Sequence, residues 1–143
     1  ELIAPNGPVY QAGTFSGNPI SVQAGISTLS QLDDAFYKDL ANKGDFLRSE
    51  ISATVDERGL NIQPVGLASM FQIYFNENDV YNYEDAKKSD SERFLVYFRE
   101  LLKEGVFIPP SQFECNFISS AHSMEELEKT SQAIDNALRV AFK

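Results

Sequence analysis

The sequence predicts an α+β domain, a small and mostly antiparallel sheet with helices on one face. Three observations lead there. The hydrophobic period changes along the chain from three- and four-residue steps to alternation and back again. The elements this period marks run helix, helix, strand, strand, helix, strand, strand, helix. Finally, 143 residues with 43% apolar side chains, 11 Phe and 6 Tyr are enough for one ordinary core.

Residues 1–17 should be irregular, since Pro5, Gly7, Pro8, Gly13 and Gly17 punctuate them. Asn18-Pro19 then starts a helix, with Asn as cap and Pro at the first helical position. Its apolar positions Ile20, Val22, Ala24, Ile26 and Leu29 carry it to about Leu32. A second helix starts at Asp33 or Asp34 and presents Phe36, Leu40, Leu47, Ile51 and Val55, with one longer gap, before Gly59 stops it. Asn61–Val65 and Ser69–Phe75 read as strands joined at Gly66-Leu67-Ala68. In the second, Phe71, Ile73 and Phe75 make an apolar face, and Met70, Gln72 and Tyr74 a mixed one.

Residues 76–89 are Asp- and Asn-rich and read as a surface loop. Ser91–Lys103 is a helix capped by Asp90, with a core stripe of Phe94, Leu95, Phe98 and Leu102, and Gly105 ends it. Val106–Ile108 and Asn116–Ser119 are short strands separated by Pro109-Pro110. Ser123 and Glu126 form a capping box for the last helix, whose stripe is Leu127, Thr130, Ile134, Ala137, Leu138 and Ala141. Most Phe positions follow these periods and are expected in the core.

The charge balance narrows the function. Twelve basic residues face 21 acidic ones, a net charge of −9, and only Lys87-Lys88 are adjacent, which argues against nucleic acid. No apolar run is long enough to span a bilayer. One His and one Cys give no transition-metal cluster, and the single Cys115 fits a reducing, cytoplasmic setting. Glu1–Pro5 shows neither a basic n-region nor an apolar h-region, so no secretory signal is expected there. The chain opens with Glu rather than Met in a Pro- and Gly-punctuated stretch, as a piece of something longer would.

Two segments could carry chemistry. Gly13-Thr14-Phe15-Ser16-Gly17-Asn18-Pro19 combines small residues and hydroxyls before a helix N-terminus, either a phosphate-binding corner or an ordinary capped loop. It matches neither the P-loop nor the dinucleotide glycine pattern. Pro109-Pro110-Ser111-Gln112-Phe113-Glu114-Cys115 places a carboxylate among apolar neighbours after a double proline, either a substrate-facing acid or a solvated one. Cys115 reads as packing rather than a nucleophile, and His122 as the residue before a helix cap. The acidic groups Asp33/Asp34, Glu84/Asp85 and Glu125/Glu126/Glu128 read as solvated faces.

Tyr10-Gln11-Ala12-Gly13-Thr14-Phe15-Ser16-Gly17-Asn18-Pro19 resembles the segment after the active-site lysine in class III pyridoxal-phosphate aminotransferases, in the form typical of their aminomutase branch. Ser69-Met70-Phe71, Pro109–Glu114 and Ser119–Ser123 resemble further parts of that family. The resemblance covers the whole chain. It implies the C-terminal domain of a fold type I pyridoxal 5'-phosphate enzyme, with residues 1–32 as an interface segment and linking helix and residues 33–143 as the small domain. It also implies a homodimer with shared active sites, completed by the N-terminal part of the enzyme.

The same resemblance assigns roles. Gly13 and Thr14 would contact the phosphate of the partner subunit's cofactor, with Tyr10 and Gln11 nearby, and Glu114 would stand on the substrate side. The implied reaction is an isomerisation of a small molecule: the pyridoxamine 5'-phosphate form gives an amine and takes another back, with no external keto acid. An aminotransferase of the same class, passing the amine to a separate keto acid, is the alternative. Many of those relatives carry an arginine in the C-terminal loop, where Glu114 stands here. The family's cofactor-bearing lysine lies upstream of the Tyr10 motif, and no Lys precedes Tyr10 here. Lys38, Lys43, Lys87, Lys88, Lys103, Lys129 and Lys143 all fall on polar faces, in loops or at the terminus. The chain alone is therefore expected to be inactive.

Overall fold

A computed structural model describes all 143 residues. The chain forms two compact units, Glu1–Phe36 and Tyr37–Lys143. The first is held by local bonds. Ile3 and Val9 make a single bridge, and the only regular element wholly inside this unit is α1 (Pro19–Leu29). Asn18 caps it as expected, its Oδ1 accepting from the N–H groups of Ile20 and Ser21, both at 3.1 Å. The helix stops before Leu32 because its last carbonyls are taken locally. Gln31 Nε2 donates to Ser27 O at 2.8 Å, and the Gln31 and Leu32 N–H groups close tight turns. None of its residues is buried.

Helix α2 (Asp34–Arg58) runs from the end of the first unit into the second, where it buries Gly44, Leu47, Ile51 and Val55. The gap in the apolar stripe is thereby explained. A Cβ at Gly44 would overlap the Ala68 carbonyl, so only glycine lets the helix approach the sheet. Gly59 ends the helix at φ +59°.

Strands β1 (Gln63–Leu67) and β2 (Met70–Tyr74) pair antiparallel, and β3 (Asn116–Phe117) pairs antiparallel on the far side of β2. The hairpin turn lies at Ala68-Ser69 rather than Gly66–Ala68, because Gly66 and Leu67 remain in register with Phe71 and Met70. Ala68 takes φ +49°, and Arg48 of α2 donates to the carbonyls of Ala68 and Met70 around it. That clamp supports a backbone conformation an alanine rarely adopts.

Other expectations need correction. Val106–Ile108 is not a strand: the Val106 N–H returns to Leu101 O at the end of the preceding helix, and Pro109-Pro110 cannot extend a ladder. The strand expected over Asn116–Ser119 is only the two residues of β3. The polar loop contains a one-turn helix, α3 (Tyr83–Ala86), capped by Asn82.

Helix α4 (Ser91–Lys103) buries Phe94, Tyr97 and Leu101, a face rotated from the predicted one, while Leu95 and Leu102 are exposed. The aromatic cluster explains the rotation: Phe75 contacts Tyr97 and Phe94 with ring centroids 5.4 and 6.3 Å apart. Burial pushes the Tyr97 phenol well above its ordinary value.

Helix α5 (Met124–Ala141) carries the expected capping box and buries Leu127, Ala133, Ile134, Ala137 and Leu138. The core of the second unit is built from these residues with Leu47, Ile51, Phe71, Ile73, Phe94 and Leu101. The Phe positions are less uniformly core than expected: Phe15, Phe107, Phe113 and Phe117 are exposed. No helix is long and apolar enough to cross a membrane.

Candidate functional site

The first candidate segment is a run of turns leading into α1. Ser16 N–H donates to Gly13 O and Asn18 N–H to Phe15 O, both at 3.0 Å. Tyr10, Gly13 and Thr14 are all exposed. A side chain at Gly13 would meet Ser16 Oγ at 2.8 Å, so glycine keeps the inside of the turn open. The turn's own bonds use the Gly13 and Phe15 carbonyls, leaving the Thr14 N–H and hydroxyl for an external acceptor. A small open turn with a free hydroxyl and N–H is a donor set that suits a phosphate, whereas the first N–H groups of α1 are already taken by Asn18.

The second segment belongs to the other unit. Glu114 is exposed, and its backbone turns back on itself through its N–H to Ser111 O at 3.2 Å. Phe113 N–H donates to Ser111 Oγ at 3.2 Å. What fixes this loop is a residue the sequence reading left on a mixed strand face. Gln72 of β2 is buried at 6% exposure and donates from Nε2 to Gln112 O at 2.9 Å and Glu114 O at 2.7 Å. Its Oε1 accepts from Ile73 N–H at 3.0 Å and from Asn116 Nδ2 at 2.9 Å. Asn116 Nδ2 also reaches Phe71 O at 3.2 Å.

Sequence reasoning singled out neither Gln72 nor Asn116 as functional. The available signal was an amide at the centre of a strand whose neighbours are Phe and Ile, where burial demands partners. Two further oxygens of this cluster, Gln112 Oε1 and Asn116 Oδ1, are buried with no partner in the chain.

Cys115 is exposed rather than packed away, with Sγ directed at the Phe71 and Asn116 carbonyls, 3.6 and 3.4 Å off. His122 faces elsewhere: its Nδ1 accepts the Ser119 N–H at 3.0 Å and lies 3.1 Å from Ser119 Oγ. The two side chains therefore have separate partners and form no nucleophile–base pair. Both line a cavity of about 240 Å³ with Asn116, Phe107, Ile118 and Thr130.

The acidic groups are structural. Glu126 closes the capping box, accepting Ser123 N–H at 2.7 Å, and these bonds hold its carboxyl below the usual range. Asp135 is lowered by hydrogen bonds from Arg58 at 2.6 and 2.9 Å. Among the lysines, Lys43 pairs with Asp39 at 2.8 Å, Lys103 and Lys129 pair with carboxylates on their own helices, and Lys87 and Lys88, just past α3, pair with Glu84 and Asp85 on it. No set of three or more His, Cys, Asp or Glu side chains is placed to hold a metal.

No protein-family model matches the chain. It is 76% identical over all 143 residues to the glutamate-1-semialdehyde 2,1-aminomutase of Methanobrevibacter smithii. Among solved structures, a β-phenylalanine aminotransferase from Variovorax paradoxus superposes with a TM-score of 0.83 over 94% of the chain at 28% identity. A glutamate-1-semialdehyde-aminomutase from Pseudomonas aeruginosa in complex with PMP shares the fold, with a TM-score of 0.76 over 92% of the chain at 18% identity. The chain spans about a third of the length of each: 34%, 31% and 31%.

Proposed function

We propose that the chain, 76% identical to a glutamate-1-semialdehyde 2,1-aminomutase over a third of that enzyme's length, is the C-terminal portion of such an enzyme and works as its small domain and interface segment. The whole enzyme converts glutamate 1-semialdehyde to 5-aminolevulinate, for tetrapyrrole biosynthesis, by moving an amine within one molecule. The observation that carries this reading is 76% identity along the entire chain. The setting is cytoplasmic and the assembly a homodimer in which each active site draws on both subunits.

Residues 1–32 form the interface segment and linking helix, and residues 33–143 the small domain. In that assembly Gly13 and Thr14 hold the phosphate of the partner subunit's pyridoxal 5'-phosphate. Gly13 allows close approach, and Thr14 donates its hydroxyl and N–H. Tyr10, exposed three residues earlier, flanks the same phosphate. Bound there, the cofactor supplies the amine carrier and the electron sink. Glu114 faces the substrate from the small domain, where a carboxylate can orient its amino groups and discourage a dicarboxylic amine acceptor by charge repulsion.

The class III aminotransferase reading keeps one specific support, the β-phenylalanine aminotransferase that superposes at a TM-score of 0.83. The two separate in one assay of the enzyme that contains this chain, given glutamate 1-semialdehyde with and without a keto acid. Formation of 5-aminolevulinate without any keto acid is the expected result. Amine transfer only when a keto acid is supplied would move the assignment to an aminotransferase.

A further inference from the structure

Glu114 owes nothing of its direction to a side-chain partner; the chain's hydrogen bonds to this residue are all made through its backbone. Its carboxylate is therefore aimed by the peptide planes on either side of it. Those planes are set from β2. The Gln72 amide uses both N–H bonds on the carbonyls of residues 112 and 114 and both lone-pair directions of Oε1 on Ile73 N–H and Asn116 Nδ2. Four bonds of 2.7–3.0 Å leave this amide one orientation, because a flipped amide would set its oxygen against two carbonyls and its NH₂ against two donors. Asn116 in turn is fixed by Phe71 O, within the short β2–β3 ladder.

We propose that Gln72 is a positioning residue for Glu114, with Asn116 locking the Gln72 amide. The inference rests on the reading of Glu114 as the substrate-side carboxylate. Its physical content is that a buried side chain forty residues away, rather than the loop's own sequence, decides where that carboxylate points. A displacement of about 1 Å in a positioning group can cost up to ~100-fold in rate. Burial of Gln72 also means that removing its N–H bonds leaves two carbonyls without donors, so the loop must shift to find water.

The test is a double-mutant cycle in the homodimeric enzyme that contains this chain, loaded with cofactor, using Gln72→Leu, Glu114→Gln and the pair. Gln72→Leu should lower kcat by roughly 10- to 100-fold with little change in KM. It should have no further effect once Glu114 is already Gln. Backbone hydrogen exchange across residues 111–115 should speed up in Gln72→Leu and stay at the wild-type rate in Glu114→Gln, a readout independent of turnover. Gln72→Met serves if the leucine variant fails to fold, since its unbranched side chain follows the glutamine's course and carries no N–H donor.

Additive losses in the cycle, or an unchanged kcat in a folded Gln72 variant whose exchange has risen, would overturn the positioning role. Full activity in Glu114→Gln would instead remove the reading beneath it, and the two failures are told apart by that single variant.

Discussion

Residues 13–17 keep their shape through two bonds between neighbours and a helix cap, whereas residues 111–114 are pinned by a buried amide on another strand. Both display a polar group on an exposed turn, Thr14 in one and Glu114 in the other. The difference lies in where the holding energy resides. The first turn sits in a unit whose α1 buries no residue, so its hold comes from those local bonds rather than from a buried helix face. The second is tied through Gln72 to a strand whose neighbours Phe71 and Ile73 belong to the core. A group that meets a mobile or shared ligand tolerates local holding; a group that must point one way from a rigid body needs long-range holding.

The largest expected effect probes this contrast at its root. Leu138 is fully buried between helices, and Leu138→Ala should cost about 2–5 kcal/mol, seen as a lower midpoint in thermal or urea unfolding. Ile20, 82% exposed on α1, should change stability by less than about 0.5 kcal/mol when replaced by Ala in the same chain. Equal losses at the two positions would mean that the first unit has a core of its own, and the comparison would break.

Next comes Thr14→Ala in the cofactor-binding enzyme. On the proposed phosphate contact of Thr14, losing one hydrogen bond to a charged group should weaken cofactor retention by about 1.5–3 kcal/mol, read by spectroscopic titration of pyridoxal 5'-phosphate. Because the Thr14 side chain holds nothing within the chain, unfolding of the cofactor-free protein should be unchanged. A fall in stability without a fall in affinity would reverse the roles assigned to the two turns.

How far the sequence could be read follows the same division. Local signals were legible: the Asn18 cap, the Ser123–Glu126 box and the Gly59 stop each depend on residues within one turn. The Glu114 loop was legible as a segment, but the amide that holds it was not, since nothing near Gln72 in sequence reveals which carbonyls cross above it. Periodicity also missed the face of α4, where Tyr97 rather than Phe98 enters the core because Phe75 offers it a ring. The same limit explains Val106–Ile108. An apolar triplet reads as a strand, yet pairing depends on a neighbour that the register of β3 does not supply.

A smaller effect sharpens the local side of the comparison. Ser123→Ala removes the hydroxyl that accepts Glu126 N–H and donates to the Glu126 carboxylate, and leaves that carboxylate only the backbone N–H of residue 123. The expected cost is about 1 kcal/mol, in the range of other N-cap losses. Unfolding measured beside Leu138→Ala checks it, because both act on α5 and differ only in whether the lost contact is local or in the core.

The smallest effect concerns pH. Asp135 on α5 accepts two hydrogen bonds from Arg58 on α2 and one from Arg139 at 3.2 Å, and its folded pKa is lowered chiefly by the Arg58 bonds. A depressed carboxylate pKa means the folded state binds fewer protons than the unfolded one. Its stabilisation is thus fully present above the unfolded value of about 3.9 and fades as pH falls through the folded one. The Arg58 and Asp135 side chains keep 30% and 19% of their exposure, so Asp135→Asn should cost below about 1 kcal/mol at neutral pH and less still in high salt. Stability measured from pH 7 down to 3 should show the variant and the parent chain converging at the acid end. A constant gap across that range would assign the cost to packing between α2 and α5 rather than to charge.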